Sequence, residues 1–169
     1  LEKLKSVYII MTVQNLKNRA TRELPYNILI LATGSEFEFP QIPGIWQKGI
    51  YSIHSLEEAK AIKREFSEKN AQDVFIIGAG LIGTSTAESL IETGARVTIL
   101  ENQPYILSEF MDRDIALKIQ QELNKKGIKI LTKAEIQEIE RKKRHLVVTT
   151  QNDSLYTDLI ILATGLKPN

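Results

Sequence analysis

Residues 73–101 read DVFIIGAGLIGTSTAESLIETGARVTILE, and this stretch decides the fold. Val74 to Ile77 form a continuous apolar run, the pattern of a parallel strand buried on both faces by helices. Gly78, Gly80 and Gly83 follow in G-x-G-x-x-G spacing, the fingerprint of a dinucleotide-binding βαβ unit. Gly78 permits the tight turn, Gly80 lets the backbone approach a pyrophosphate, and Gly83 lets the helix pack on the strand. A helix is predicted from Leu81 to Thr93 with Gly94 as its stop, so free N–H groups and the positive dipole end face the phosphates. Arg96 to Leu100 is the next strand. Glu101 stands at its end, where a carboxylate accepts hydrogen bonds from ribose hydroxyls and repels a 2′-phosphate. Asn102, Gln103 and Pro104 follow without an Arg or Lys to receive such a phosphate, so NAD(H) is favoured over NADP(H). The competing reading is a strand-to-helix turn that binds nothing.

Working outward, the 169 residues suffice for one domain with a sizeable core, and the near-balance of 22 basic against 21 acidic residues argues against nucleic acid or a membrane surface as partner. The one charge run, Arg141 to Arg144, reads as a solvated turn between strands. No apolar run approaches the roughly 20 residues needed to span a bilayer, and no signal peptide is evident, so a cytoplasmic protein is expected. Without cysteine there is neither disulfide nor thiol nucleophile, and His54 and His145, both isolated, build no zinc site. No catalytic residue and no metal ligand is expected in this chain, so redox chemistry needs a borrowed group.

Before the central unit, Val7–Val13 and Tyr26–Ala32 read as strands, and Phe37–Gly44 as linker with a domain boundary. Tyr51–His54 reads as a short extended piece, followed by a helix over Leu56–Ser67 capped by Ser55, with Glu57 and Glu58 in its first turn. After it, Asp112 caps a helix running to Lys126 with Ile115, Ile119 and Leu123 on its apolar face, and Gly127 ends it. Ile128–Leu131 is the third parallel strand. Glu135–Glu140, Leu146–Thr150 and Leu155–Ala163 then read as an antiparallel meander whose last strand returns to the parallel sheet, with His145 at its edge.

Four pieces in order carry a resemblance: LILATGS at 29–35, PQIPG at 40–44, IIGAGLIG at 76–83 and LIILATGLKPN at 159–169. The chain resembles the pyridine nucleotide-disulfide oxidoreductase family, in particular its NADH oxidase, NADH peroxidase and coenzyme A-disulfide reductase branch. The resemblance implies an α/β fold: a Rossmann-like domain at 41–169 with a parallel sheet, helices and a meander, preceded at 1–40 by a remnant of an FAD domain. It implies NAD(H) held by Gly78, Ala79, Gly80, Leu81, Ile82 and Gly83, by Glu101 and Asn102, and by Ala163, Thr164 and Gly165 of the second ATG motif. FAD is expected only in a full-length protein. The chain opens on Leu and carries no FAD fingerprint, redox cysteine, ribityl-binding Gly-Asp motif or dimerisation domain, so it is expected to be an inactive, monomeric piece of a homodimeric flavoprotein that passes hydride from NADH to flavin.

Two positions depart from the family pattern G-x-G-Y-I-G-x-E, in which the tyrosine gates the nicotinamide pocket and the glutamate contacts the ring region. They are Leu81 and Ser85 here, while Glu88 matches a family acid. Three further readings therefore stand beside the leading one: a nucleotide-binding module without redox turnover, a degenerate interaction domain, and FAD in the central fingerprint.

Overall fold

The computed structural model describes residues 9–69 and 71–169. The chain forms two compact units, Leu1–Gly34 and Ser35–Asn169. In the first, β1 (Ile9–Gln14) pairs antiparallel with β2 (Thr21–Tyr26), Ile9 opposite Tyr26. The turn is built by asparagine: Asn15 Oδ1 accepts from the N–H of Lys17, its carbonyl accepts from Arg19, and Arg19 takes a φ of 57°. Residues 7 and 8 of the expected first strand lie outside the described residues.

The strand expected over Tyr26–Ala32 is corrected. The short turn brings Thr21–Tyr26 onto the first strand instead, and Ile28, Ile30 and Leu31 are exposed in irregular chain. Arg22, Glu23 and Pro25 hid the true strand, because Pro25 looks like a breaker. A two-stranded ribbon has only edges, and an edge tolerates proline.

The second unit begins with β3 (Ser35–Phe37), β4 (Ile50–Ser52) and α1 (Leu56–Lys69). The central unit is β5 (Asp73–Ile77), α2 (Leu81–Ile91) and β6 (Arg96–Leu100), followed by α3 (Arg113–Lys125) and β7 (Lys129–Leu131). A meander of β8 (Ile136–Lys142), β9 (His145–Thr150) and β10 (Ser154–Thr157) leads to β11 (Leu159–Leu162) and β12 (Leu166–Pro168). The five-stranded sheet is parallel throughout, in the order β4-β11-β5-β6-β7.

Strand alternation sorts the core into two clusters. Val74, Ile76, Val97, Ile99, Leu159 and Ile161 pack with Ile62, Ala87, Leu90, Ala116 and Leu123 of the three helices. Phe75, Ile77, Leu100, Ile160 and Leu162 pack with Ile139, Leu146 and Val148 of the meander. The unit is thus a three-layer sandwich, and the expectation of helices on both faces of the central strand is corrected. An apolar run reports burial on two sides without saying what does the covering.

Three smaller corrections follow. The run Leu155–Ala163 is two strands, broken at Asp158, where the chain crosses from meander to parallel sheet. Ile115 is 53% exposed, and Ala116, one residue on, takes the buried position. Phe37 of the expected linker sits in a strand, because β3 pairs antiparallel with β12 and Thr164 Oγ1 donates to Glu38 O at 3.0 Å. The PQIPG stretch is equally well fixed: Ile139 N–H donates to Pro43 O at 2.8 Å, so the turn docks on the meander. Other features agree with the residues. Ser55 and Glu58 cap α1 reciprocally, Ser55 Oγ accepting from Glu58 N and Glu58 Oε2 from Ser55 N. Asp112 stands at the N-cap of α3, though its side chain makes no cap hydrogen bond. Two readings in the meander are corrected: only Lys143 and Arg144 of the basic run form the turn between β8 and β9, since Arg141 and Lys142 pair within β8 and Arg141 donates to Lys48 O, and His145 opens the central strand of the meander, not its edge.

Asp158 ties the crossing together. Its Oδ2 accepts the N–H groups of Gln72 and Asp73 at 2.9 and 3.1 Å, and His145 Nδ1 lies 3.0 Å from Oδ1. Burial pushes this carboxyl up, but the two backbone donors and the imidazole outweigh burial and hold it below the usual aspartate range. A carboxylate whose pKa falls on folding contributes stability above its unfolded value, near 4, and loses it as pH drops through the folded value. Asp158→Ala is expected to cost about 1–3 kcal/mol in urea unfolding at pH 7, with the difference from wild type shrinking below pH 4. An equal cost at pH 3 and pH 7 would show that the carboxylate charge is not what matters.

Candidate nucleotide site

Strand order places a crevice before any residue is considered. From β5 the chain moves outward on one side through β6 and β7, and it returns on the other side through β11. Loops leaving the carboxyl ends of β5 and β11 therefore diverge, and ligands of open α/β sheets bind at such a switch point. The structure has a cleft of about 680 Å³ there, lined by Gly78 to Ile82, Glu101 to Gln103 and Ala163 to Leu166.

The three glycines differ in what requires them. A Cβ on Gly78 would lie 2.5 Å from Ala163 O, and one on Gly83 would lie 2.0 Å from Gly78 O. Both are packing requirements of the protein itself. Gly80 is different: its φ of −75° suits any residue, and a Cβ there would meet nothing within 4 Å. Among the described residues nothing needs a glycine at 80. The open space faces the cleft, at the N-cap of α2, whose first turn has neither a side-chain cap nor an acidic residue. Its unbonded N–H groups and positive dipole end suit an anion.

Glu101 reaches back into the turn. Its Oε2 accepts from Ala79 N–H at 2.7 Å and its Oε1 from Gln103 N–H at 2.8 Å. The acid at the end of β6 thus holds the glycine turn in shape and still presents lone pairs to the cleft, since a carboxylate offers about four.

The structure brings together all the expected nucleotide-site residues except Gly83, which is buried behind the turn and shapes it without lining the cleft. Leu81 lines the cleft and is 49% exposed, whereas Ser85 is exposed outside the lining. Glu88 pairs with Lys126 of the α3 end at 2.5 Å, a surface role. His54 lies outside the cleft. Among the described residues no cluster of three His, Asp or Glu side chains is placed to hold a metal.

Sequence reasoning missed three walls of the cleft: Pro40 and Ile42, Leu107 to Phe110, and Ala134 to Ile136. The second wall is fixed by Leu107, whose N–H donates to Ala79 O at 2.9 Å and whose φ is 54°. A left-handed leucine carries no glycine to announce it. Pro40 stood out in the residues as turn chemistry and as part of the PQIPG piece of the resemblance, but not as a wall of the cleft.

The sequence profile described as pyridine nucleotide-disulphide oxidoreductase matches residues 4–169. The NADH oxidase of Methanocaldococcus jannaschii is 33% identical over 147 residues, which are 87% of this chain and 33% of the relative. The CoA-dependent NAD(P)H sulfur oxidoreductase of Pyrococcus abyssi is 35% identical over 85% of this chain and 32% of its own length. Among solved structures, the water-forming NADH oxidase of Lactobacillus brevis bound to NADH superposes with a TM-score of 0.79 at 29% identity, over 95% of this chain and 35% of that one. The chain thus spans about a third of the length of the relatives it matches.

Proposed function

Since the chain belongs to the pyridine nucleotide-disulphide oxidoreductase family, we propose that its cleft is the NAD(H) site of an FAD-dependent oxidoreductase about three times as long. Residues 41–169 would be the NAD(H) domain and residues 1–40 part of the FAD domain. The observation that carries the reading is Gly80: the protein leaves open a space that a side chain would fill, beside the N-terminus of α2. A pyrophosphate fits both features. In this reading Gly78 to Ile82 cradle the pyrophosphate, Gly83 sets the turn, Glu101 and Asn102 face the adenosine ribose, and Ala163 to Gly165 line the remainder. When bound, the reduced nicotinamide supplies the hydride that reduces flavin in the longer protein; this chain's residues bind and orient it. Among the described residues no helix is long and apolar enough to cross a membrane, and we place the protein in the cytoplasm.

A nucleotide-binding module without redox turnover is the second reading. It is favoured by Leu81 and Ser85, which leave the first turns of α2 without the aromatic and carboxylate groups of the family pattern. Calorimetric titration of this chain with NADH, and separately with FAD, tests the common core of both readings. Saturable 1:1 binding of NADH, with FAD weaker, is expected; FAD binding more tightly than NADH would overturn the NAD(H) assignment. Flavin reduction by NADH in the longer protein then separates the two readings.

A further inference from the structure

We propose that Glu135 is a specificity-determining residue that, together with Glu101, excludes a 2′-phosphate from the cleft; the inference rests on the NAD(H) reading above. Both oxygens of Glu101 already accept backbone N–H groups, from Ala79 and Gln103. Its charge is therefore partly answered by donors of its own chain, and its loss would also untie the glycine turn. A second negative charge at the ribose end would strengthen the exclusion of a phosphate that Glu101 begins.

Glu135 is built into that end. Pairing between the ends of β6 and β7 runs past both strands: Glu101 N–H donates to Leu131 O at 2.9 Å, Ala134 N–H to Glu101 O at 2.8 Å and Lys133 N–H to Gln103 O at 3.1 Å. Glu135 is thus one residue from the direct backbone partner of Glu101, and it lines the cleft. Gln151, in the turn between β9 and β10, donates its side-chain amide to the Glu135 carboxylate and holds it at the rim. Among the described residues the cleft lining carries three carboxylates, Glu101, Glu109 and Glu135, and no Lys, Arg or His. Lys133 is exposed and lies outside the lining. Glu109 belongs to the other wall, which Leu107 ties to Ala79 beside the glycine turn. Its field acts on the pyrophosphate that NADH and NADPH share, whereas that of Glu135 acts where the two nucleotides differ.

The test is the ratio of NADPH to NADH affinity, measured by calorimetry on this chain at low and high salt. Wild type is expected to prefer NADH. Glu135→Gln is expected to raise the ratio roughly three- to tenfold at low salt and by less at high salt, as for charges within a Debye length of about 8–10 Å. Glu109→Gln is expected to move both affinities together and leave the ratio alone. Both side chains are exposed, so neither substitution threatens the fold. An unchanged ratio in Glu135→Gln, or wild type binding NADPH as tightly as NADH, overturns the inference and leaves the NAD(H) site standing. Failure of wild type to bind NADH overturns the site itself.

Discussion

Gly44→Ala is expected to cost about 3 kcal/mol or more of stability, at or above the upper end of what overpacking a filled site usually costs. The added Cβ would lie 1.7 Å from Ile139 O, an atom of the meander backbone that cannot turn aside, and the residue's φ of +83° is strained for any side chain. The clash falls where Pro43 O accepts the Ile139 N–H, so relief means lifting the turn off β8 and opening the cluster of Ile45, Ile139 and Leu146. Gly94→Ala is the matched comparison: its φ is +87°, yet a Cβ there meets nothing within 4 Å. It is expected to cost only the left-handed backbone penalty, about 1–2 kcal/mol. Urea unfolding of both variants reads the difference directly. Equal losses would mean that the PQIPG turn does not dock on the meander.

Gly80→Val is expected to have the opposite profile, with binding lost and stability kept. The backbone at 80 is extended and the neighbouring space open, so stability should change by less than about 1 kcal/mol. The branched side chain would stand in the space assigned to the pyrophosphate. A loss of NADH affinity of about 100-fold, or about 2.7 kcal/mol, is expected from calorimetry. Unchanged affinity with an unchanged melting temperature would show that the nucleotide, if bound, lies elsewhere.

The glycine turn, its flanking elements and the acid at the end of β6 were legible in the residues because each rests on a local pattern. Apolar runs, glycine spacing and a capping serine act within a few positions of themselves. The meander was legible for the same reason, since three short strands leave no room for helices. Partnerships across the chain were not. Nothing local in Ser35–Phe37 shows that it pairs with Leu166–Pro168, and nothing in Thr21–Tyr26 shows that it, rather than the more apolar segment after it, completes the hairpin. The site followed the same division. Its floor was read from the glycines, while the wall at Leu107 depends on a strained leucine held by one hydrogen bond to Ala79. The second role of Glu101, bonding the turn it faces, also needed coordinates.

Mapping backbone amide shifts by NMR as NADH is added would test the central claim most directly. The account expects the largest shifts at Gly78 to Gly83, with further shifts at Glu101 to Gln103 and Ala163 to Gly165. Saturable shifts confined to residues outside the cleft, with the glycine turn unmoved, would contradict it.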